Sequence, residues 1–308
     1  MQTIKLGTRG SKLALWQAYF VKETLEAGGL SVEIVIIETK GDKILDRSLS
    51  KIGSKGVFTE ELEEKLLSGE IHIAQHSAKD LQSDLGENFE IIAFSEREKV
   101  NDVLISFDKS LTLESGQPFV VGTSSTRRVA MLKHFYPHIK TVDMRGNLQT
   151  RMGKLESGVC DALLLAFAGV HRMGYEEHIA QLITTDTFTP AVGQGSVAIE
   201  CAVNLDADIK EKIRGLLNHP NTEKQLLAER AFLKRLQGGC SIPVFGLAQY
   251  DAETDTISMT GGIISLDGKE IIKEVLSGSN PEEVGFALAE KILDLGGGSI
   301  LQEIKANL

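Results

Sequence analysis

The chain has 308 residues, 42% of them hydrophobic and 25% charged, which is the profile of a globular protein too long for one ordinary core. Its formal net charge of −10 argues against a nucleic-acid partner, because such binding rests on neutralising phosphates. No apolar stretch reaches the roughly 18 residues of a membrane span, the first residues read as a strand rather than a signal peptide, and three scattered cysteines argue against a disulfide framework.

A cytoplasmic protein of two or three domains is therefore expected. Thr3 to Leu6 reads as a strand, Gly7 to Ser11 as a turn, and Lys12 to Leu25 as a helix with apolar Leu13, Leu15, Trp16, Phe20 and Val21. Val32 to Glu38 is β-branched and strand-like. Lys40 to Gly56 is polar, glycine-punctuated and longer than most connections, which suits either a lid or an idle loop. A helix from Glu60 to Leu67 precedes a short strand from Ile71 to Ala74, and Glu90 to Phe94 and Asp102 to Ser106 read as strands. Phe119 to Val121, the turn Gly122 to Thr126 and the helix Arg127 to Phe135 then repeat the opening device of strand, Gly-Thr-x-x-Ser/Thr turn and helix. Thr141 to Met144 leads into Arg145-Gly-Asn147 and a helix from Leu148 to Glu156, followed by an apolar strand from Val159 to Phe167.

This alternation predicts an α/β protein, with sheets covered by helices. Crossings between lobes are expected near Glu96 to Asn101 and near Thr187 to Gly195, the second followed by an apolar run from Val197 to Val203. Residues 1–98 with 192–216 then form one discontinuous α/β lobe and 102–189 a second, with a cleft between them where ligands commonly bind. Residues 218–308 form a third, α+β unit: a helix from Glu223 to Leu236 stopped by Gly238 and Gly239, and strands near Val244 to Tyr250, Thr256 to Ile264 and Glu270 to Leu276. A last helix starts at Asn280 and Pro281, and Gly296 to Gly298 reads as its cap and turn.

Arg9, Arg127, Arg128, Arg145, Arg151 and Arg172 all lie in or beside loops rich in Gly, Ser, Thr or Asn. Basic loops on an acidic body point to a local site for a small anion. The two repeated turns offer helix N-termini for that anion, or plain helix caps. In His76 to Asp80 a hydroxyl, an amine and a carboxylate follow a strand; the carboxylate can stabilise a cation or move a proton, or be ordinary surface charge. His72 and His76 have the spacing of a helical zinc pair, but their strand-like setting and the missing glutamate give no expectation of a metal. Cys160 and Cys201 sit in apolar runs and read as buried, whereas Cys240 lies in an open turn, as a chemical handle or a bland loop cysteine.

Seven segments occur in an order that resembles the porphobilinogen deaminase (hydroxymethylbilane synthase) family: Gly7 to Gln17, Lys55 to Leu62, His76 to Asp80, Gly122 to Arg128, Arg145 to Asn147, Gly193 to Gly195 and Gly238 to Pro243. Gln82 stands where that family commonly has proline, and Ser196 where it commonly has alanine. The resemblance implies two lobes like those of type 2 periplasmic binding proteins, plus a C-terminal α+β domain. It implies a dipyrromethane cofactor joined to Cys240 by a thioether and made by the enzyme from its own substrate. Four porphobilinogen molecules are then added in turn, each losing ammonia, before hydrolysis releases the linear tetrapyrrole. On this resemblance Asp80 is the catalytic residue, while Lys79, Ser125, Arg127, Arg128 and Arg151 hold the cofactor. Arg9, Ser11, Arg145 and Arg172 hold substrate or the growing chain, with Lys55 as a lid contact. A monomer is expected, with porphobilinogen as its small-molecule partner and neither nucleic acid nor membrane. A two-lobed sensor for a small organic anion would also account for the basic loops and the cleft. Such a binder needs neither Cys240, the His76 to Asp80 tract nor a third domain.

Overall fold

The structure, a computed structural model, describes residues 3–43, 59–239 and 241–306. Its elements begin with β1 (Ile4–Arg9), α1 (Lys12–Ala27), β2 (Val32–Ile37), the short α2 (Lys40–Lys43), α3 (Glu60–Leu67), β3 (Ile73–Ser77) and a 3-10 turn (Ala78–Asp80). Next come β4 (Phe89–Phe94), β5 (Asp102–Ile105), β6 (Val120–Gly122), α4 (Thr126–Phe135), β7 (Lys140–Val142) and α5 (Leu148–Glu156). They are followed by β8 (Ala162–Ala166), α6 (Phe167–Arg172), β9 (Ile179–Leu182) and β10 (Val197–Ala202). The last part holds α7 (Ala207–Leu217), α8 (Pro220–Arg235), β11 (Val244–Asp251), β12 (Thr256–Ile264), β13 (Ile271–Gly278), α9 (Pro281–Ile292) and α10 (Gly298–Ala306).

Two five-stranded sheets share one plan. Their orders are β2-β1-β3-β10-β4 and β7-β6-β8-β5-β9. In each, the first three strands pair in parallel and the remaining pairings are antiparallel. The repeated strand-turn-helix device occupies the equivalent place in both, as β1 with α1 and as β6 with α4. The strand β10, internal to its sheet, is buried along its whole length, as an apolar run covered on both faces should be. A separate antiparallel sheet, β11-β12-β13, packs its buried residues with Phe232 of α8 and Leu288 of α9. This last unit is wedged against both lobes: Leu226 of α8 packs with Ala78 and Leu81, while Phe245 and Ile264 join Val121 and Phe188.

The chain crosses between lobes around Arg97 and again around Gln194. At the second crossing Gly193 and Gly195 have φ of +77° and +102°, and a Cβ there would lie 2.8 Å from Lys79 N and 2.6 Å from Glu98 O. Only glycine fits both the dihedrals and the space. The Arg97 guanidinium donates to both Glu229 carboxylate oxygens at 2.7 and 3.0 Å and to Gln194 O at 2.9 Å. Fully buried Glu229 also accepts from Gly193 N at 2.7 Å and Ala248 N at 2.8 Å, so it ties both crossings to α8 and β11.

Several elements differ from the sequence reading. β3 starts two residues later than Ile71 and runs through His76 and Ser77, because His72 ends the pairing with β1: its ring accepts Lys5 N at 3.0 Å and its own N–H donates to Lys5 O. His76 pairs with buried Glu200 at 2.9 Å, so the two histidines face different partners. Phe167 opens helix α6 instead of ending a strand. Helix α1 buries Ala14, Gln17, Ala18, Val21 and Leu25, leaving Trp16 and Phe20 exposed. β9, α7 and α10 carried no expectation; α7 is capped by Asp206, and Gly296 at φ +109° kinks the chain between α9 and α10. Of the stretch from Lys40 to Gly56, only α2 is described; Lys55 and Cys240 lie outside the described residues. Among the described residues, no helix is long and apolar enough to cross a membrane.

Replacing Glu229 leaves the buried Arg97 charge unmatched. Glu229→Gln is expected to lower unfolding free energy by about 3 kcal/mol or more in urea titration. A change below about 0.5 kcal/mol, the ordinary surface-mutation range, would contradict that role.

Candidate active site

The carboxyl ends of the parallel strands in both sheets open on one cleft of about 630 Å³. This is where ligands bind in open α/β sheets. The first lobe brings Arg9, Gly10 and Ser11 from the end of β1, Glu38 from beyond β2, and Ser77, Lys79 and Asp80 from the end of β3. Opposite them stand Arg128 in the first turn of α4, the Arg145 to Arg151 segment, and the β8–α6 junction with Arg172. The second crossing adds Gln194, Gly195 and Ser196. Among the described residues, six cations, Arg9, Lys79, Arg128, Arg145, Arg151 and Arg172, thus line the cleft beside two acids, Glu38 and Asp80, in a chain of net charge −10.

Behind this wall lies Asp102, at the head of β5 and fully buried. Its oxygens accept Arg127 Nη2 and Arg128 Nη2, each at 2.7 Å, and Gln194 Nε2 at 3.0 Å. Burial alone would raise the carboxyl group's pKa, but the charges of Arg127 and Arg128 outweigh it and hold it well below the usual carboxylate range. Arg128 also donates to Leu164 O at 2.9 Å and lines the cleft. Arg127 is turned the other way. It donates to Thr189 O at 3.0 Å and does not line the cleft. Ser125, another expected contact, caps α4 by accepting Arg128 N at 3.5 Å and is also absent from the cleft wall. Two adjacent arginines share one carboxylate, which leaves one positive charge in surplus at the cleft.

Lys79 and Asp80 are brought in by the 3-10 turn after β3. Burial brings the Lys79 ammonium down to about 8; Arg128 and Arg127 push the same way, while Asp80 and Asp102 oppose them. Arg151 donates its Nε to Gly146 O at 2.9 Å and lines the cleft. Burial, and then the charges of Arg128 and Arg145, bring Arg151 to about 10 against the pull of Asp80 and Asp143. Arg172 donates to Gly195 O at 2.8 Å and lies 5.4 Å from the centre of the Trp16 ring. Ser11 caps α1 by accepting Ala14 N at 3.3 Å while lining the cleft. The arrangement suits a ligand bearing several carboxylates, with one aspartate among the cations for whatever positive charge or N–H the ligand presents.

Of the residues expected at the site, Arg9, Ser11, Lys79, Asp80, Arg128, Arg145, Arg151 and Arg172 converge here. Asp102 and Glu38 carried no expectation of a role at the site, and Gln17, Ser77 and Gln194 stood only within motifs; here the Gln17 side-chain amide donates to the Ser77 hydroxyl at 2.9 Å. An acid heading the apolar run Asp102 to Ile105 was the available signal for the first. Cys160 and Cys201 are buried, with thiols pushed up chiefly by burial, Cys201 to about 12.

The family model described as "Porphobilinogen deaminase, dipyromethane cofactor binding domain" matches residues 4–211, and that of the "Porphobilinogen deaminase, C-terminal domain" matches residues 224–294. The porphobilinogen deaminase of Cytophaga hutchinsonii is 54% identical over 309 residues, spanning 100% of this chain and 98% of that protein. That of Desulfosudis oleivorans is 50% identical over 305 residues, spanning 98% of each. Among solved structures, the periplasmic VFT2 domain of BvgS from Bordetella pertussis is similar over 69% of this chain and 85% of that one, at 16% identity and a TM-score of 0.42. The chain belongs to the porphobilinogen deaminase family, the transferases of tetrapyrrole biosynthesis that polymerise porphobilinogen into hydroxymethylbilane with a dipyrromethane cofactor.

Proposed function

We propose that this cleft is where polymerisation takes place, its cations holding the acid arms of the pyrrole chain and Asp80 acting on the ring nitrogens. One observation carries the reading: Lys79 and five arginines from two lobes converge on the strand ends around Asp80. Each porphobilinogen brings an acetate and a propionate, and guanidinium forks match such groups better than point charges do. The same donor set fits the four carboxylates of a dipyrromethane.

Lys79, Arg128 and Arg151 are assigned to cofactor carboxylates. Ser125 and Arg127 serve that group indirectly, the first by capping α4 and the second by sharing Asp102 with Arg128. Arg9, Ser11, Arg145 and Arg172 are assigned to incoming substrate and the growing chain, Lys55 to a lid contact and Cys240 to covalent attachment. The division into residues 1–98 with 192–216, 102–189 and 218–308 belongs to the same reading, supported by one sheet in each unit. So does a monomeric cytoplasmic enzyme without nucleic-acid or membrane partners, in keeping with the charge of −10.

When bound, the dipyrromethane supplies the nucleophilic pyrrole carbon to which new units are joined. The cations fix the substrate by its two acid arms and so hold its aminomethyl carbon in one orientation. Departure of ammonia makes that carbon electron-poor and spreads positive charge to the substrate's ring nitrogen. The Asp80 carboxylate accepts the ring N–H and offsets the charge without having to reorganise. It is also the group placed to take up a proton.

Asp80→Asn is expected to keep its pyrrole adduct while turnover falls by about 100-fold or more; near-normal turnover would remove the electrostatic role. Because Lys79 binds carboxylate only as the cation, porphobilinogen affinity of the adduct-free protein should fall as pH rises through about 8. Lys79→Arg should move that fall to higher pH, and an unchanged profile would count against Lys79 as a carboxylate contact. Intact-protein mass spectrometry should find covalently held pyrrole on the parent chain and none on Cys240→Ser; an equal adduct on both would place the attachment elsewhere.

A further inference from the structure

Helix α1 exposes a group of aromatic side chains beside the cleft. Trp16, Tyr19 and Phe20 are 39%, 54% and 36% exposed, although the same helix buries five side chains on its other face. The Trp16 and Phe20 rings are parallel to within 5° with centres 6.0 Å apart. This surface is continuous with the cleft in two ways. Leu13, one helical turn before Trp16, lines the cleft, and Arg172, which also lines it, sits 5.4 Å from the Trp16 ring centre. Lys12 is exposed one turn before Trp16, at the spacing of helix neighbours.

Capacity gives the surface a task. A cleft of about 630 Å³ is of the size that holds a drug-sized ligand. At the end of synthesis the chain comprises two cofactor rings and four substrate rings, with twelve carboxylates, and exceeds it. We propose that Trp16 and Phe20 form a shelf on which the distal pyrrole rings of the longer intermediates stack once the cleft is filled, with Arg172 and Lys12 meeting their acid arms. Electron-rich rings stack on aromatic side chains with little demand for a fixed register, which suits a chain whose length changes. The proposal rests on the cleft being the polymerisation site.

Trp16 is the single tryptophan of the chain, so its emission reports on the shelf alone. Holoenzyme is titrated with limiting porphobilinogen, the number of added units is read by intact-protein mass spectrometry, and tryptophan emission is followed on the same samples. Emission should hold nearly constant while one or two units are added and drop at the third and fourth. In Phe20→Ala the population should shift toward enzyme carrying two added units by roughly fivefold or more, the low end of what ring stacking contributes. Phe20 is 36% exposed and is not among the core residues of α1, so its truncation spares the core. Emission that stays constant through all four additions would overturn the shelf and leave the polymerisation site standing. Emission that changes fully at the first addition would also overturn it, by making Trp16 part of the initial substrate contact. Failure of any unit to add would overturn both readings.

Discussion

Asp102 is fully buried and holds the guanidiniums of Arg127 and Arg128 together with the side-chain amide of Gln194. Two adjacent arginines at a helix start would repel one another strongly in a dry interior, and a lone buried carboxylate would be as costly. Sharing one acid resolves both problems and leaves a surplus charge on the cleft side. The node reaches further. Arg127 holds Thr189 O and Gln194 holds Val100 O at 2.7 Å, so the anchor of the cationic wall also anchors both crossings between lobes. Charge in the cleft and the path of the crossings are therefore not independent.

The third unit acts on the same crossings from the outside. Glu229 of α8 receives Arg97 from the first crossing and Gly193 N from the second. Leu226 of the same helix packs into the first lobe, while Phe245 and Ile264 of the third sheet pack into the second. A unit embedded in both lobes keeps the cleft walls in register, and the segment it sends toward Cys240 is fixed where Gly238 N meets Leu233 O at 3.0 Å. The parallel strands of both sheets deliver their carboxyl ends to the cleft, so basic loops far apart in sequence face one another across it. An acidic protein thereby concentrates positive charge in one cleft, the place the proposed function gives to a polycarboxylate chain.

The legible part of this in the sequence was what local chemistry decides. The strand, Gly-Thr-x-x-Ser/Thr turn and helix device could be read twice from spacing alone, and Ser11 and Ser125 do cap their helices. The glycines flanking Gln194 were quoted as part of a motif, but their necessity became visible only when Lys79 N and Glu98 O were seen packed against them. Arg127 and Arg128 are indistinguishable by type and adjacent in sequence. A helix sends neighbours in different directions, so one faces the cleft and the other the crossing. Asp102 and Glu229 escaped notice because a buried acid is recognisable only by partners that the fold brings from afar. Helix α1 forms where its apolar residues placed it, but which of them are buried is settled by packing: Val21 and Leu25 join the smaller Ala14 and Ala18 in the core, while Trp16 and Phe20 stay exposed.

The most direct test is a crystal structure of the protein carrying its pyrrole adduct. The account predicts adduct carboxylates within about 3 Å of Lys79, Arg128 and Arg151, and the Asp80 carboxylate at hydrogen-bond distance from the ring nitrogens. An adduct lying outside the cleft, or one whose ring nitrogens bond elsewhere while Asp80 faces solvent, would contradict it.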